Sequence, residues 1–275
     1  MSARARGARF VNAPLPYEHL TGVWDSAPAT TAGTLLGWAH VHPRPSRPVT
    51  PAEKYLRLPI IWGPSYATGV AVSGEVGHLR YAAELKNASL SSRPSTWRVG
   101  DSGWDHPTMS ARLGYEPSPM WQFGLSGSTG SYLRPEAGAL LSAGRGLGDY
   151  RQNVFGQDVA FAWHHLQVWA ECFEARFEIP GVGNADTVAY YLELKYKLTP
   201  QLFLALRWNE QLFAQFPDGA GGRVPWGGDV GRFDLAFGYR FTPHAQLKLQ
   251  YSAQTEKLDA QGVAHLGAVQ FVLRF

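Results

Sequence analysis

Residues 188–198 run Val188-Ala189-Tyr190-Tyr191-Leu192-Glu193-Leu194-Lys195-Tyr196-Lys197-Leu198. In an extended strand successive side chains point to opposite faces. Val188, Tyr190, Leu192, Leu194, Tyr196 and Leu198 therefore share one apolar face, while Glu193, Lys195 and Lys197 place charge on the other. The repeat is two residues, not the 3.6 of a helix, so the segment is a strand with one oily and one wet side. Across Thr199-Pro200-Gln201 the pattern returns: Leu202, Leu204, Leu206 and Trp208 lie opposite Ala205, Arg207, Asn209 and Gln211.

Toward the carboxyl end, Phe233, Leu235, Phe237, Tyr239 and Phe241 alternate with Arg232, Asp234, Gly238 and Arg240. Past Thr242-Pro243-His244 come Leu247, Leu249 and Tyr251 against Gln246, Lys248 and Gln250. The final segment sets Val269, Phe271, Leu273 and Phe275 against Gln270 and Arg274. Toward the amino end, hairpins are legible at 67–76 with 78–87, 108–116 with 120–128, and 154–164 with 166–178. This makes about eleven strands, with residues 34–41 as a candidate twelfth.

The connections alternate in length. Short turns fall at Gly77, 117–119, 164–165, 199–201 and 242–244; long ones fall at 88–107, 129–153, 180–186, 214–229 and 256–264. Outer-membrane barrels have short turns on the periplasmic side and long loops outside. Tyr115, Trp121, Trp163, Tyr196, Tyr239 and Phe241 all lie near short turns, where an aromatic girdle belongs. An open sheet edge in hydrocarbon would leave backbone groups unpaired, so a spanning sheet must close. The expected fold is an all-β, transmembrane, antiparallel up-and-down β-barrel. Residues 67–275 would supply its strands, and residues 1–66 a partial strand and a long Pro-rich loop.

Composition narrows the function. Charged residues make up only 17%, with Gly 30, Trp 10 and Tyr 12, which suits a turn-rich sheet with one apolar face. A net charge of +3 is too mild for a nucleic-acid binder. Cys172 is the only cysteine, so neither an internal disulfide nor a thiol metal cluster can form. It falls in phase with Val168 and Ala170 and reads as a small lipid-facing residue. No stretch approaches the roughly 18 apolar residues of a spanning helix. Residues 1–9 are basic but lack the apolar core of a secretory signal.

Arg9-Phe10-Val11-Asn12-Ala13-Pro14-Leu15-Pro16-Tyr17-Glu18-His19-Leu20 resembles the "G-K-F-x-x-P-F-x-x-E" segment of the phosphate-selective porins, the porin O and P group. Thr68-Gly69-Val70-Ala71-Val72-Ser73-Gly74 and the following Leu79-Arg80-Tyr81-Ala82-Ala83-Glu84-Leu85-Lys86-Asn87-Ala88 resemble its "G-V-x-L-x-G" and "Y-x-x-x-x-x-N-G" strands. The resemblance implies a porin barrel, sixteen-stranded in the family, and a chain truncated at its amino terminus relative to it. It places the chain in a bacterial outer membrane; separately, Phe275, in phase with Leu273 and Phe271, resembles the carboxy-terminal aromatic signal that the barrel assembly machinery recognises. A pore constriction in residues 13–66, touched by Lys54, Arg57, Trp62 and Tyr66, is one implication; an ordinary external loop is the other. The family's arginine ladder has no residue-by-residue match, so phosphate selectivity does not carry over.

Strand phase assigns the lumen. Arg80, Lys86, Arg112, Lys195, Lys197, Arg207, Arg232, Arg240, Lys248 and Arg274 point inward, with Glu84, Glu193, Asp234, Asp158 and Glu171 against them. A roughly two-to-one basic excess predicts a porin passing small anionic or neutral solutes with mild anion preference. Pairing of Glu193 with Arg207 and Asp234 with Lys248 is the competing expectation. Ala82, Ala160, Ala162, Ala205, Ala236, Gly124 and Gly238 on the polar face predict room for water. Outer-membrane lipid is the expected surrounding, with a homotrimer as one assembly open to it and no cofactor. A plugged structural or binding barrel is the alternative, and an outer-membrane hydrolase a weaker one. Asp105-His106 and His164-His165 announce no catalytic pattern, and His40 with His42 would leave a zinc site incomplete.

Overall fold

The computed structural model describes residues 4–7, 10–11, 66–67, 69–87, 107–133, 135–217, 222–225, 227–257 and 262–273. Its strands are β1 (Arg4–Gly7), β2 (Phe10–Val11), β3 (Tyr66–Ala67), β4 (Gly69–Val76), β5 (Leu79–Asn87), β6 (Pro107–Ser118), β7 (Trp121–Ser131), β8 (Arg151–Trp163), β9 (Leu166–Ile179), β10 (Gly183–Lys197), β11 (Leu202–Phe213), β12 (Gln215–Pro217), β13 (Arg223–Pro225), β14 (Val230–Thr242), β15 (Ala245–Glu256) and β16 (Ala264–Leu273). Twelve form one sheet in the order β1-β4-β5-β6-β7-β8-β9-β10-β11-β14-β15-β16, while β2-β3 and β12-β13 are separate pairs. Neighbours are antiparallel throughout. The architecture is the all-β up-and-down sheet of an outer-membrane barrel. The twelfth strand is β1, in the basic opening segment. Residues 34–41, the expected candidate, lie outside the described residues, as do Lys54, Arg57, Trp62, His40, His42, Asp105, His106, Arg274 and Phe275.

The short turns stand where they were expected. Gly77 takes φ 60 between β4 and β5, and His164 takes φ 50 between β8 and β9, a left-handed geometry unusual for a residue with a Cβ. The presumed long connection at 180–186 is corrected. Gly183 pairs with Ile179 and Asp186 with Arg176, so β9 and β10 close through residues 180–182, with Gly181 at φ 73. Arg176 and Asp186 form an ion pair of 2.7 Å on these strand ends. Polar residues above the apolar band hide the strand from a hydropathy reading.

Burial runs inside out. Glu193 and Asp234 are 0% exposed, whereas Leu192 is 44% and Leu249 45% exposed. A soluble sheet would bury the leucines; here the charges are inside and the exposed leucines face outward. Along β10 the outward apolar face from Val188 to Leu198 rises roughly 25 Å for a rise of about 3.3 Å per residue and a tilt of about 40°, the height of a barrel's lipid band. The girdle aromatics Tyr115, Trp121, Trp163, Tyr196, Tyr239 and Phe241 are all exposed. Trp121 packs against Phe161 at 4.5 Å and Tyr239 against Phe241 at 5.0 Å. Cys172, in the outward phase, is half-buried.

Candidate functional site: the lumen wall

Cross-strand register assembles the inward charges into rows. Glu193 lies opposite Arg207, and Arg207 opposite Asp234, across β10, β11 and β14. Asp158 lies opposite Glu171, Glu171 opposite Tyr191, and Asn209 opposite Arg232. The side chains of β10, β11, β14 and β15 join into one network. Arg207 donates through Nε to Asn209 Oδ1 (2.8 Å) and through Nη1 to Glu193 Oε2 (3.4 Å), with its guanidinium 4.0 Å from the Tyr191 ring centroid. Asn209 donates to Asp234 Oδ2 (3.1 Å), Arg232 Nε to Asp234 Oδ1 (2.8 Å), and Arg232 Nη2 to Ser252 Oγ (3.2 Å). Gln250 donates to both Asp234 and Ser252.

The expected Glu193–Arg207 pair is present. Asp234 instead pairs with Arg232, two residues away on the same face of β14. Lys248 is buried on the same wall, and Lys195 sits with its ammonium 4.6 Å from the Phe203 ring centroid. Arg112 forms a two-bond ion pair with Asp158, its Nη2 donating to Oδ1 at 2.8 Å. That pair spans over Gly124 of the intervening β7, where any Cβ would collide with both partners.

Small residues therefore do not leave the lumen uniformly open, contrary to the expectation. The Phe203 ring occupies the space above Gly238, Ala205 and Ala236 are buried beside it, and the Arg112–Asp158 pair fills the space above Gly124. Ala162, nearer the short turns, is exposed. The two-to-one basic excess also shrinks. Glu75 and Glu116 share the inward face with Arg80, which contacts them at 3.5 and 2.6 Å, and Glu256 has the same phase on β15. Lys197 and Arg240 are exposed at the short-turn rim, and Glu84 is half-buried. The Lys86 backbone pairs with Gly69 in the sheet.

The sequence did not reveal the packing of residues 132–150, between β7 and β8. Tyr132 and Tyr150 are buried in a cluster with the inward-facing Val154, Trp169, Phe173, Phe177 and Tyr191, and Leu133 and Leu141 pack against it. The connection thus folds over the upper inner wall of β8–β10. Tyr132 Oη donates to the Glu178 carbonyl at 2.8 Å, and burial, reinforced by the Glu178 charge, raises its phenol pKa, keeping it a neutral donor. Residues 13–65, where a constriction was expected, lie outside the described residues. At the opposite end His165 Nδ1 lies 3.0 Å from the Lys197 carbonyl, tying two hairpins together.

No family model matches the chain, and no curated protein matches it in sequence. Solved structures do match in fold. OmpF of Salmonella typhi, in complex with daunomycin, shares 11% identity at a TM-score of 0.58, over 97% of this chain and 74% of that one. The anion-selective porin of Comamonas acidovorans shares 9% at 0.51, over 77% and 56%. The trimer form of in-vitro folded OmpT, an outer-membrane protein of Vibrio cholerae, shares 10% at 0.50, over 74% and 64%. The chain spans less than two thirds of the last two. At such identities the likeness is one of fold, and the fold is that of the outer-membrane β-barrels, porins among them.

Proposed function

We propose that this chain forms the wall of a porin-type channel in a bacterial outer membrane, letting small hydrophilic solutes cross down their gradient without catalysis or cofactor. The carrying observation is the reversal of burial: a buried polar network from Glu193 to Ser252 and the Arg112–Asp158 pair on the inside, and an exposed apolar band outside. A homotrimer, insertion by the assembly machinery through the last strand, and kinship with the phosphate-selective porins belong to the same proposal. Anion preference rests on the basic rim residues Lys197 and Arg240, since the deeper charges are close to balance.

A plugged barrel is the second reading, favoured by the burial of Glu193, Arg207 and Asp234, which would be wetted in a wide pore. Reconstitution into a planar bilayer separates the two. A channel gives discrete conductance steps in potassium chloride and a reversal potential on the anion side of zero preference. A silent bilayer, with folding verified by circular dichroism, would favour the plug.

A further inference from the structure

The roots and the span of residues 132–150 are built differently. At the roots, Tyr132 and Tyr150 are buried with Phe173 and Phe177. Along the span, Leu140 is 71% exposed, and a Cβ added to Gly138, Gly144 or Gly148 would meet nothing within 4 Å. Gly144 also takes φ +81, a conformation that suits glycine. The connection is therefore fixed at both ends and, Leu141 apart, loosely packed between them.

Besides Leu141, which packs against the aromatic cluster, a polar side chain ties the span to the sheet. Arg145 Nη1 donates to Glu178 Oε1 at the end of β9 (2.7 Å), its Nη2 donates to the Asp149 carbonyl (2.5 Å), and its guanidinium lies 4.1 Å from the Tyr150 ring centroid. Asp149 Oδ2 in turn accepts from the Gly146 N–H (2.8 Å), and the Ser142 N–H donates to Tyr150 Oη (3.1 Å). The Arg145 and Glu178 side chains are about one third exposed, so water and salt screen the pair. Such a tie breaks and re-forms thermally, unlike the buried Arg207 network.

We infer that residues 138–149 are a gate over the aromatic part of the lumen wall, with Arg145 as its latch. While Arg145 holds Glu178 the span lies against the end of β9; when the pair parts, the span swings about Tyr132 and Tyr150 and the passage widens. The gate rests on the channel reading proposed above.

Single-channel recording of the full chain in a planar bilayer tests it. Arg145→Ala should raise the occupancy of the larger conductance level by about three- to tenfold, the range expected for losing an exposed ion pair with its ring contact, and Glu178→Gln by about two- to fivefold, since the ring contact remains. The exchange Arg145→Glu with Glu178→Arg should bring it back toward the original value. A nitroxide at Leu140→Cys, in a Cys172→Ser background, should become more mobile when Arg145→Ala is added. Unchanged occupancy and unchanged label mobility in a conducting barrel would overturn the gate and leave the channel intact. Absence of conductance in the unmodified chain and every variant would remove the channel reading, and the gate with it.

Discussion

The inner wall of β8–β10 and that of β11–β15 obey the same strand alternation and end up with different interiors. On the first, Trp169, Phe173, Phe177 and Tyr191 pack with the tyrosine roots of the β7–β8 connection. On the second, Arg207, Asn209, Arg232, Asp234, Gln250 and Ser252 join into a hydrogen-bonded sheet of polar groups. Alternation decides only that a side chain points inward. Whether it is wet, paired or packed depends on what the neighbouring strands and connections bring opposite it.

The polar wall should be the more fragile to a single change. Asp234 accepts from Asn209, Arg232 and Gln250 together, so Asp234→Ala leaves a buried guanidinium and two amides without their shared acceptor. Removing one partner of a buried pair costs about 3–5 kcal/mol, which urea unfolding in lipid vesicles would read as a lower midpoint. A loss below about 1 kcal/mol would mean that water already bathes Asp234, and the network would then be a lining rather than a lock.

The aromatic wall should lose less and respond in another observable. Phe173 lies over Gly156 and beneath the tyrosine roots. Phe173→Ala should cost about 3 kcal/mol, the low end for a buried phenylalanine because the connection above can settle into the gap. Trypsin digestion should then cut at Arg145 or Arg151 faster than in the parent protein. If stability falls while digestion is unchanged, the connection is held by its polar contacts and not by the wall.

How much of this was legible follows the range of the forces involved. The faces of Leu192 and Glu193 could be read because alternation is written in adjacent residues. The inward phase of Glu116 is obscured at a strand end disturbed by Pro117, where the register with β7 shifts between Tyr115 and Ser118. The hairpin at 180–182 reads as a long loop in sequence because Gly181, Gly183 and the Arg176–Asp186 pair carry no apolar repeat. Tyr132 and Tyr150 gave no local signal, since their burial depends on Phe173 and Phe177, distant in sequence. The partner of Asp234 was likewise a choice between Lys248 across the strands and Arg232 along its own, and only packing decides it.

The smallest structural effect should come from the residues with the largest say in ion preference. Lys197 and Arg240 occupy the inward phase at the short-turn rim, exposed, beyond the interlocked charges of the second wall. Their backbone N–H groups donate to the His165 and Gln201 carbonyls, so the rim backbone is held whatever side chain it carries. Lys197→Glu with Arg240→Glu should therefore change stability by no more than about 0.5 kcal/mol per site. Because acidic and basic groups deeper in the lumen largely neutralise one another, the sign of the rim sets which ion enters more readily. Under a potassium chloride gradient the double variant should move the reversal potential toward cation preference, and the shift should shrink as total salt rises, because exposed charges are screened over about 10 Å at 0.1 M. A reversal potential indifferent to both substitutions would return the selectivity to the buried wall, where Arg207 and Arg232 would have to act through their paired fields.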